Sequence, residues 1–136
     1  MRFNTITGAA LSALILALAV ACSGAGTPQD GSAAASTVRT FYEHLNAGRY
    51  ADAKALYTAE TREQIFPDAG ADEGFRNWAV VETHDKSLRE VKIVSETEGE
   101  DGVTIEFELG FKDGESSQRR VTVSKEDGAW RLGFIG

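Results

Sequence analysis

The chain offers few side chains that could do chemistry. Its one cysteine, Cys22, carries the only thiol, able to be alkylated, to form a thioester or to bind a metal. Its two histidines, His44 and His84, stand forty residues apart; with no further cysteine they give no metal-ligand spacing. Ser116-Ser117 lacks a recognisable base partner, and the glycines fall in turns rather than in a phosphate loop. The acidic groups Asp68/Asp72/Glu73 and Glu98/Glu100/Asp101 lack the alternation and terminal bidentate glutamate of a calcium loop, so they read as solvated turns. An acid catalyst would need a carboxylate of raised pKa in the interior, and only Asp68 and Glu82 are placed to supply one. No cofactor motif is present, and no metal ligand set.

Cys22 gains meaning from what precedes it. Met1 to Gly8 holds one basic residue, Arg2, and is followed by an apolar run, Ala9 to Val20. That run is short of the ~20 residues a spanning helix needs. It closes on Ala19-Val20-Ala21-Cys22, small residues before a cysteine. This resembles a bacterial lipobox, which implies a cut after residue 21 and a diacylglyceryl thioether on Cys22. The lipobox usually has leucine where Ala19 stands; here Leu18 is one place early. Ordinary secretion and an uncleaved anchor are the alternatives. The reading places the protein in a cell envelope, lipid-anchored on the extracytoplasmic side of a bacterial membrane.

The full sequence carries a formal charge of −7, and cleavage after residue 21 removes Arg2, adding one negative unit. Such a balance excludes a nucleic-acid partner, which requires concentrated positive charge. It also excludes electrostatic attachment to anionic lipid, so acyl chains would do the anchoring. With Cys22 acylated no disulfide can form, and the core alone must stabilise the fold. Ser23 to Ser36, SGAGTPQDGSAAAS, has no aromatic residue, no aliphatic one larger than alanine and no periodicity, and reads as a flexible tether. Residues 37–136 are then the single domain.

The elements of that domain follow from two periods. Val38, Phe41, Tyr42 and Leu45 form one helical stripe, with Ser36 or Thr37 as cap and Gly48 after its end. Tyr50, Ala53, Leu56 and Tyr57 predict a second short helix. Thr58 caps a third that stops at Phe66 because Pro67 follows. Asp72 caps a fourth burying Phe75, Trp78 and Ala79, although Gly74 costs it about 1 kcal/mol.

After residue 87 the period becomes two, clearest in Val103 to Phe111, with further strands at Leu88–Thr97, Ser116–Lys125 and Ala129–Ile135. Parity sets the register, since a slip of one residue inverts every side chain. A three-residue Lys-Asp-Gly loop pairs Val103 with Val123, Ile105 with Val121 and Glu106 with Arg120. A four-residue Lys-Glu-Asp-Gly loop pairs Val123 with Trp130 and Val121 with Leu132. The prediction is an α+β fold: N-terminal helices on one face of a curved, antiparallel, four-stranded meander.

This register puts Arg119 on the inner face, opposite Phe107 and beside Phe134. There it either snorkels out, pairs with a helix carboxylate, or waits as a cation at the mouth of an apolar pocket. In the last case Tyr42, Tyr57, Trp78 and Phe107 would line the pocket with it. The outer face carries Thr104, Glu106, Glu108, Arg120, Thr122 and Arg131, mixed in sign as a wet or transient interface would be.

Thr37 to Ala53, TVRTFYEHLNAGRYADA, is similar to the opening of the nuclear transport factor 2-like superfamily. The ending KEDGAWRL resembles its bacterial lipoprotein members with a lumazine-binding-like domain, and the likeness covers about residues 36–136. It implies a curved sheet wrapped on a long helix as a cone with an internal pocket. Enzymes of the superfamily, the ketosteroid isomerases, place an oxyanion-donating tyrosine where Phe41 stands. Their general base falls near Ile65/Phe66, with Glu63 and Asp68 only nearby, and their second oxyanion donor at Arg119. All three roles are missing or chemically changed, so the resemblance does not carry the isomerase activity over to this chain. A related dehydratase group uses a pocket histidine, whereas His44 and His84 read as surface residues. The expected protein is therefore non-enzymatic, binding a small apolar or anionic ligand or an envelope protein, or forming a homodimer.

Overall fold

The computed structural model describes residues 32–68 and 70–136. Cys22, the preceding apolar run and most of the tether lie outside them. The described chain is four helices, α1 (Ala33–Asn46), α2 (Tyr50–Lys54), α3 (Ala59–Ile65) and α4 (Ala71–Glu82), then four strands. The strands β1 (Leu88–Gly99), β2 (Gly102–Phe111), β3 (Ser116–Glu126) and β4 (Ala129–Ile135) form an antiparallel sheet in the order β1-β2-β3-β4. The fold is the expected α+β meander. None of the described helices is long and apolar enough to cross a membrane.

α1 begins earlier than the stripe predicts. Ser32, not Ser36 or Thr37, is the cap, its Oγ accepting the Ala35 N–H at 3.3 Å. Ala34 and Ala35 are fully buried, so the last residues assigned to the tether belong to the core. Alanine is the best helix former and can pack where no larger side chain fits. At the other end Gly48 takes φ +75°, and Arg49 N–H reaches back to His44 O at 2.8 Å, closing the helix in the expected left-handed turn.

α2 stops at Lys54, leaving Leu56 and Tyr57 outside it. Those residues run beside β4: Leu132 N–H donates to Leu56 O at 2.8 Å and Thr58 N–H to Leu132 O at 2.9 Å. This contact covers part of the β4 edge, a place where unpaired strands invite association. Thr58 caps α3 as predicted, its Oγ1 accepting Thr61 N–H at 3.1 Å. Asp72 does not cap α4. It lies inside the first turn and pairs with Lys54 at 3.2 Å, while Asp68 Oδ1 accepts the N–H groups of Gly70 and Ala71.

The β2–β3 register is as predicted, with Ile105 opposite Val121 and Phe107 opposite Arg119. The β3–β4 register differs. Asp127 (φ +53°) and Gly128 (φ +78°) make a two-residue turn, pairing Glu126 with Ala129, Lys125 with Trp130 and Val123 with Leu132. Two consecutive left-handed residues suit the twist of a tight hairpin better than a four-residue loop does. A bulge follows, so Val121 faces Ile135, and Phe134 is turned to the open face, 55% exposed, rather than inward beside Arg119. β1 has two bulges of its own, and the second leaves Val94 58% exposed.

Ile93, Ile105, Phe107, Leu109, Phe111, Val121, Val123 and Leu132 make the buried face of the sheet. Val38, Phe41, Tyr42 and Leu45 of α1 lie in the same core, joined by Ala53, Tyr57, Phe75 and Ala79.

Candidate functional site

Three elements bring one polar cluster into this core. α4 delivers Glu82 near its C-terminal end, 6% exposed; α1 delivers Tyr42; β3 delivers Arg119. Arg119 grips the carboxylate with both arms of its fork, Nε to Oε1 at 2.8 Å and Nη2 to Oε2 at 2.9 Å. Tyr42 donates its hydroxyl to Oε1 at 2.8 Å. The third guanidinium nitrogen, Nη1, donates to Gln118 O. A buried carboxylate is tolerable only with such partners. Of the readings open for Arg119, the structure shows the helix carboxylate: its anion is Glu82, inside the chain.

Glu82 in turn acts on its neighbours. Burial, and then the Glu82 charge and hydrogen bond, push the Tyr42 hydroxyl well above its ordinary range. Burial and the same charge push Tyr57 up as well. The hydrogen bond to Glu82 holds Arg119 even more firmly protonated. The two phenols set a limit at high pH. Below about pH 10 they are neutral in both states; above it the unfolded chain ionises while the folded one resists ionisation, so stability falls as pH rises. Each contributes up to about 1.4 kcal/mol of loss per pH unit. In a Tyr50→Phe chain, which leaves only Tyr42 and Tyr57 of the three tyrosines, tyrosinate absorbance should rise together with loss of circular dichroism. Ionisation with the fold intact would contradict the burial.

The aromatic residues expected around Arg119 do meet. Tyr42 lies edge-on to Phe107 at 5.4 Å and to Phe41 at 5.3 Å; Phe41 also meets Tyr57 at 5.2 Å and Trp78 at 6.4 Å. Tyr42, Tyr57 and Phe107 are buried and Trp78 partly so, packed on one another as core. The other candidate acid, Asp68, is exposed and spent on the α4 start.

The open face of the sheet carries a groove of about 620 Å³, lined by Val94, Glu106, Gln118, Arg120, Thr122 and Phe134, among others. Glu106 accepts from Arg120 Nε at 3.0 Å and Nη2, and from Ser95 Oγ at 3.0 Å. These donors, Arg120 first, hold its carboxyl below the usual carboxylate range. Smaller crevices lie between α1 and β1, 190 Å³, and between α2 and α4, 130 Å³. Sequence reasoning placed Glu106 and Arg120 on this face but missed Val94 and Phe134, which only bulges bring there. Of the histidines, His44 Nδ1 accepts from exposed Arg49 at 3.1 Å. His84 stacks flat on Phe111, ring centroids 3.7 Å apart and 8° from parallel.

Similar folds occur in solved structures. A SEC-C motif-containing protein from Rhodopseudomonas palustris superposes with a TM-score of 0.58 at 18% identity, over 79% of this chain and 82% of that one. An NTF2-like transpeptidase from Campylobacter jejuni gives 0.56 at 14% identity, over 80% and 99%. At these identities the likeness is one of fold, and it supports the NTF2-like architecture. No curated protein matches the chain. A family model matches residues 23–133, nearly the whole domain and its tether, and by that match the protein belongs to the family of the domain of unknown function DUF4878.

Proposed function

We propose that this protein is an exported lipoprotein, held to the membrane through Cys22, whose domain is non-enzymatic and joins two copies through the open face of the sheet. The observation that carries this is the self-complementarity of the groove. Glu106 on β2 and Arg120 on β3 face each other across the centre of the sheet, with Val94 toward the β1 edge and Phe134 toward the β4 edge. A two-fold axis running along the strands between β2 and β3 lays β2 of each copy over β3 of the other. Each Glu106 then meets the other copy's Arg120, and the Val94 edge covers the Phe134 edge. An axis across the strands would stack Glu106 on Glu106 and is disfavoured.

The anchor supports the same reading. Ten peptide steps separate Cys22 from Ser32, a span of at most about 35 Å. Two domains so held meet at high effective concentration, and a modest, polar interface suffices. The interior is less suited to a ligand, because Glu82 already occupies Arg119.

The test is sedimentation of the mature acylated chain in detergent, after fractionation shows that Cys22→Ser releases the protein from membranes. Glu106→Arg and Arg120→Glu should each weaken dimerisation at least about tenfold, through like-charge contact, and the double exchange should restore it. The folded monomer loses little in either variant, since the Glu106–Arg120 pair is exposed. A concentration-independent monomer, or failure of Cys22→Ser to leave the membrane, would sink the respective half of the proposal. A small molecule released on denaturation in native mass spectrometry would favour ligand binding instead.

A further inference from the structure

The turn that follows α4 and the hairpin between β2 and β3 meet at one corner of the domain. There His84, Asp113 and Glu115 each present a ligand atom within 4.8 Å of the other two. The His84 Nδ1 to Glu115 Oε2 distance is 3.9 Å. Two ligands bound about 2.1 Å from a tetrahedral ion stand about 3.4 Å apart, so side-chain rotation by about an ångström closes the set. We propose that these three residues bind a divalent transition-metal ion of the zinc class, a site separate from the groove and independent of self-association.

The corner is built to hold these donors. The imidazole plane is set by stacking on Phe111, itself 2% exposed. Lys112 N–H donates to Ser87 O at 3.0 Å, tying the hairpin to the turn that carries His84. Phe111 N–H donates to Glu115 O at 2.9 Å, and Asp113 Oδ1 accepts Glu115 N–H at 2.9 Å, fixing the hairpin itself. That last bond occupies one carboxylate oxygen and orients the other, as supporting hydrogen bonds do for metal ligands. Glu115 is 70% exposed and His84 36%, so an ion can enter and keep water as a remaining ligand.

Donor chemistry selects the class of ion. One imidazole nitrogen with two carboxylates suits zinc and its first-row neighbours, whereas calcium and magnesium take oxygen alone. Two carboxylates with a neutral imidazole carry a charge of −2, which a dication cancels. An ion here would bridge the α4–β1 turn and the β2–β3 hairpin, and by binding only the folded chain it would raise the melting temperature.

The experiment is calorimetric titration of the untagged, chelator-treated full chain in detergent with zinc chloride, repeated with cobalt(II) to follow its visible absorption. The expected result is one ion per chain, with a cobalt band that zinc displaces. Glu115→Gln and Asp113→Asn should each weaken binding at least about tenfold and His84→Ala should abolish it, since even lesser ligand-supporting changes cost that much. His44→Ala and Glu98→Gln should change nothing. Because His84 packs on the core, its variant is checked by circular dichroism; exposed Glu115 carries the test if that variant unfolds. Unchanged affinity in Glu115→Gln, a preference for calcium over zinc, or no heat at millimolar zinc would overturn the site.

Discussion

Replacing Arg119 by methionine is expected to cost the domain about 3–5 kcal/mol, the effect of leaving one member of a buried ion pair uncompensated. Methionine keeps the apolar stem against Phe107 but removes both arms of the fork. Glu82, 6% exposed, then retains only the Tyr42 hydroxyl. In a domain of about 100 residues each kcal/mol moves the melting temperature by about 4–8 °C, so the change should be plain in a thermal scan. Glu82→Gln should cost less. The cation it strands is partly exposed, its side chain at 29%, and can turn toward water, whereas the carboxylate cannot. The double variant Arg119→Met/Glu82→Met should recover most of the loss, because a well-packed apolar pair often matches a buried ion pair. If Arg119→Met lies within about 1 kcal/mol of the parent, the pair is not a stability element. Arg119 would then again be a candidate for an external anion.

The pair also shows where sequence reasoning reaches its end. Parity placed Arg119 on the inner face correctly, because β2 alternates without a break from Val103 to Phe111 and the Lys-Asp-Gly loop admits one register. The partner lies 37 residues away on a helix, and no local pattern chooses between a carboxylate and an external anion. His84 meets Asp113 and Glu115 for the same reason unseen: the contact exists only once the meander folds back on the α4 turn.

The bulges left a fainter trace. Ile93-Val94 and Phe134-Ile135 are adjacent apolar pairs that break the period of two, and at each the structure inserts a residue and sends the extra side chain to the open face. Asp127-Gly128 likewise carried the signal for a two-residue turn, hidden inside a longer polar run. The consequence for function is direct. The irregularities decide which member of each apolar pair is exposed at the groove: Val94 and Phe134 are, while Ile93 is buried and Ile135 half-buried.

The start of α1 offers the sharpest test of tether against core. Ala35→Lys should destabilise the domain by more than about 3 kcal/mol, because it forces a long cation into a fully buried position. Ala33→Lys, two residues away on the exposed side of the same turn, should change stability by less than about 0.5 kcal/mol. Ser32→Ala removes the side-chain acceptor for Ala35 N–H and should cost about 1 kcal/mol. Urea denaturation of the three variants distinguishes the cases, since a flexible tether would leave all of them at the parent midpoint. Equal midpoints for Ala33→Lys and Ala35→Lys would return residues 32–36 to the tether. A loss confined to Ala35→Lys and Ser32→Ala fixes the first residue of the domain at Ser32. The proposed anchor would then hold the domain by a link of ten steps rather than fourteen or more, which keeps the domain closer to the membrane and raises its effective concentration toward a neighbouring copy.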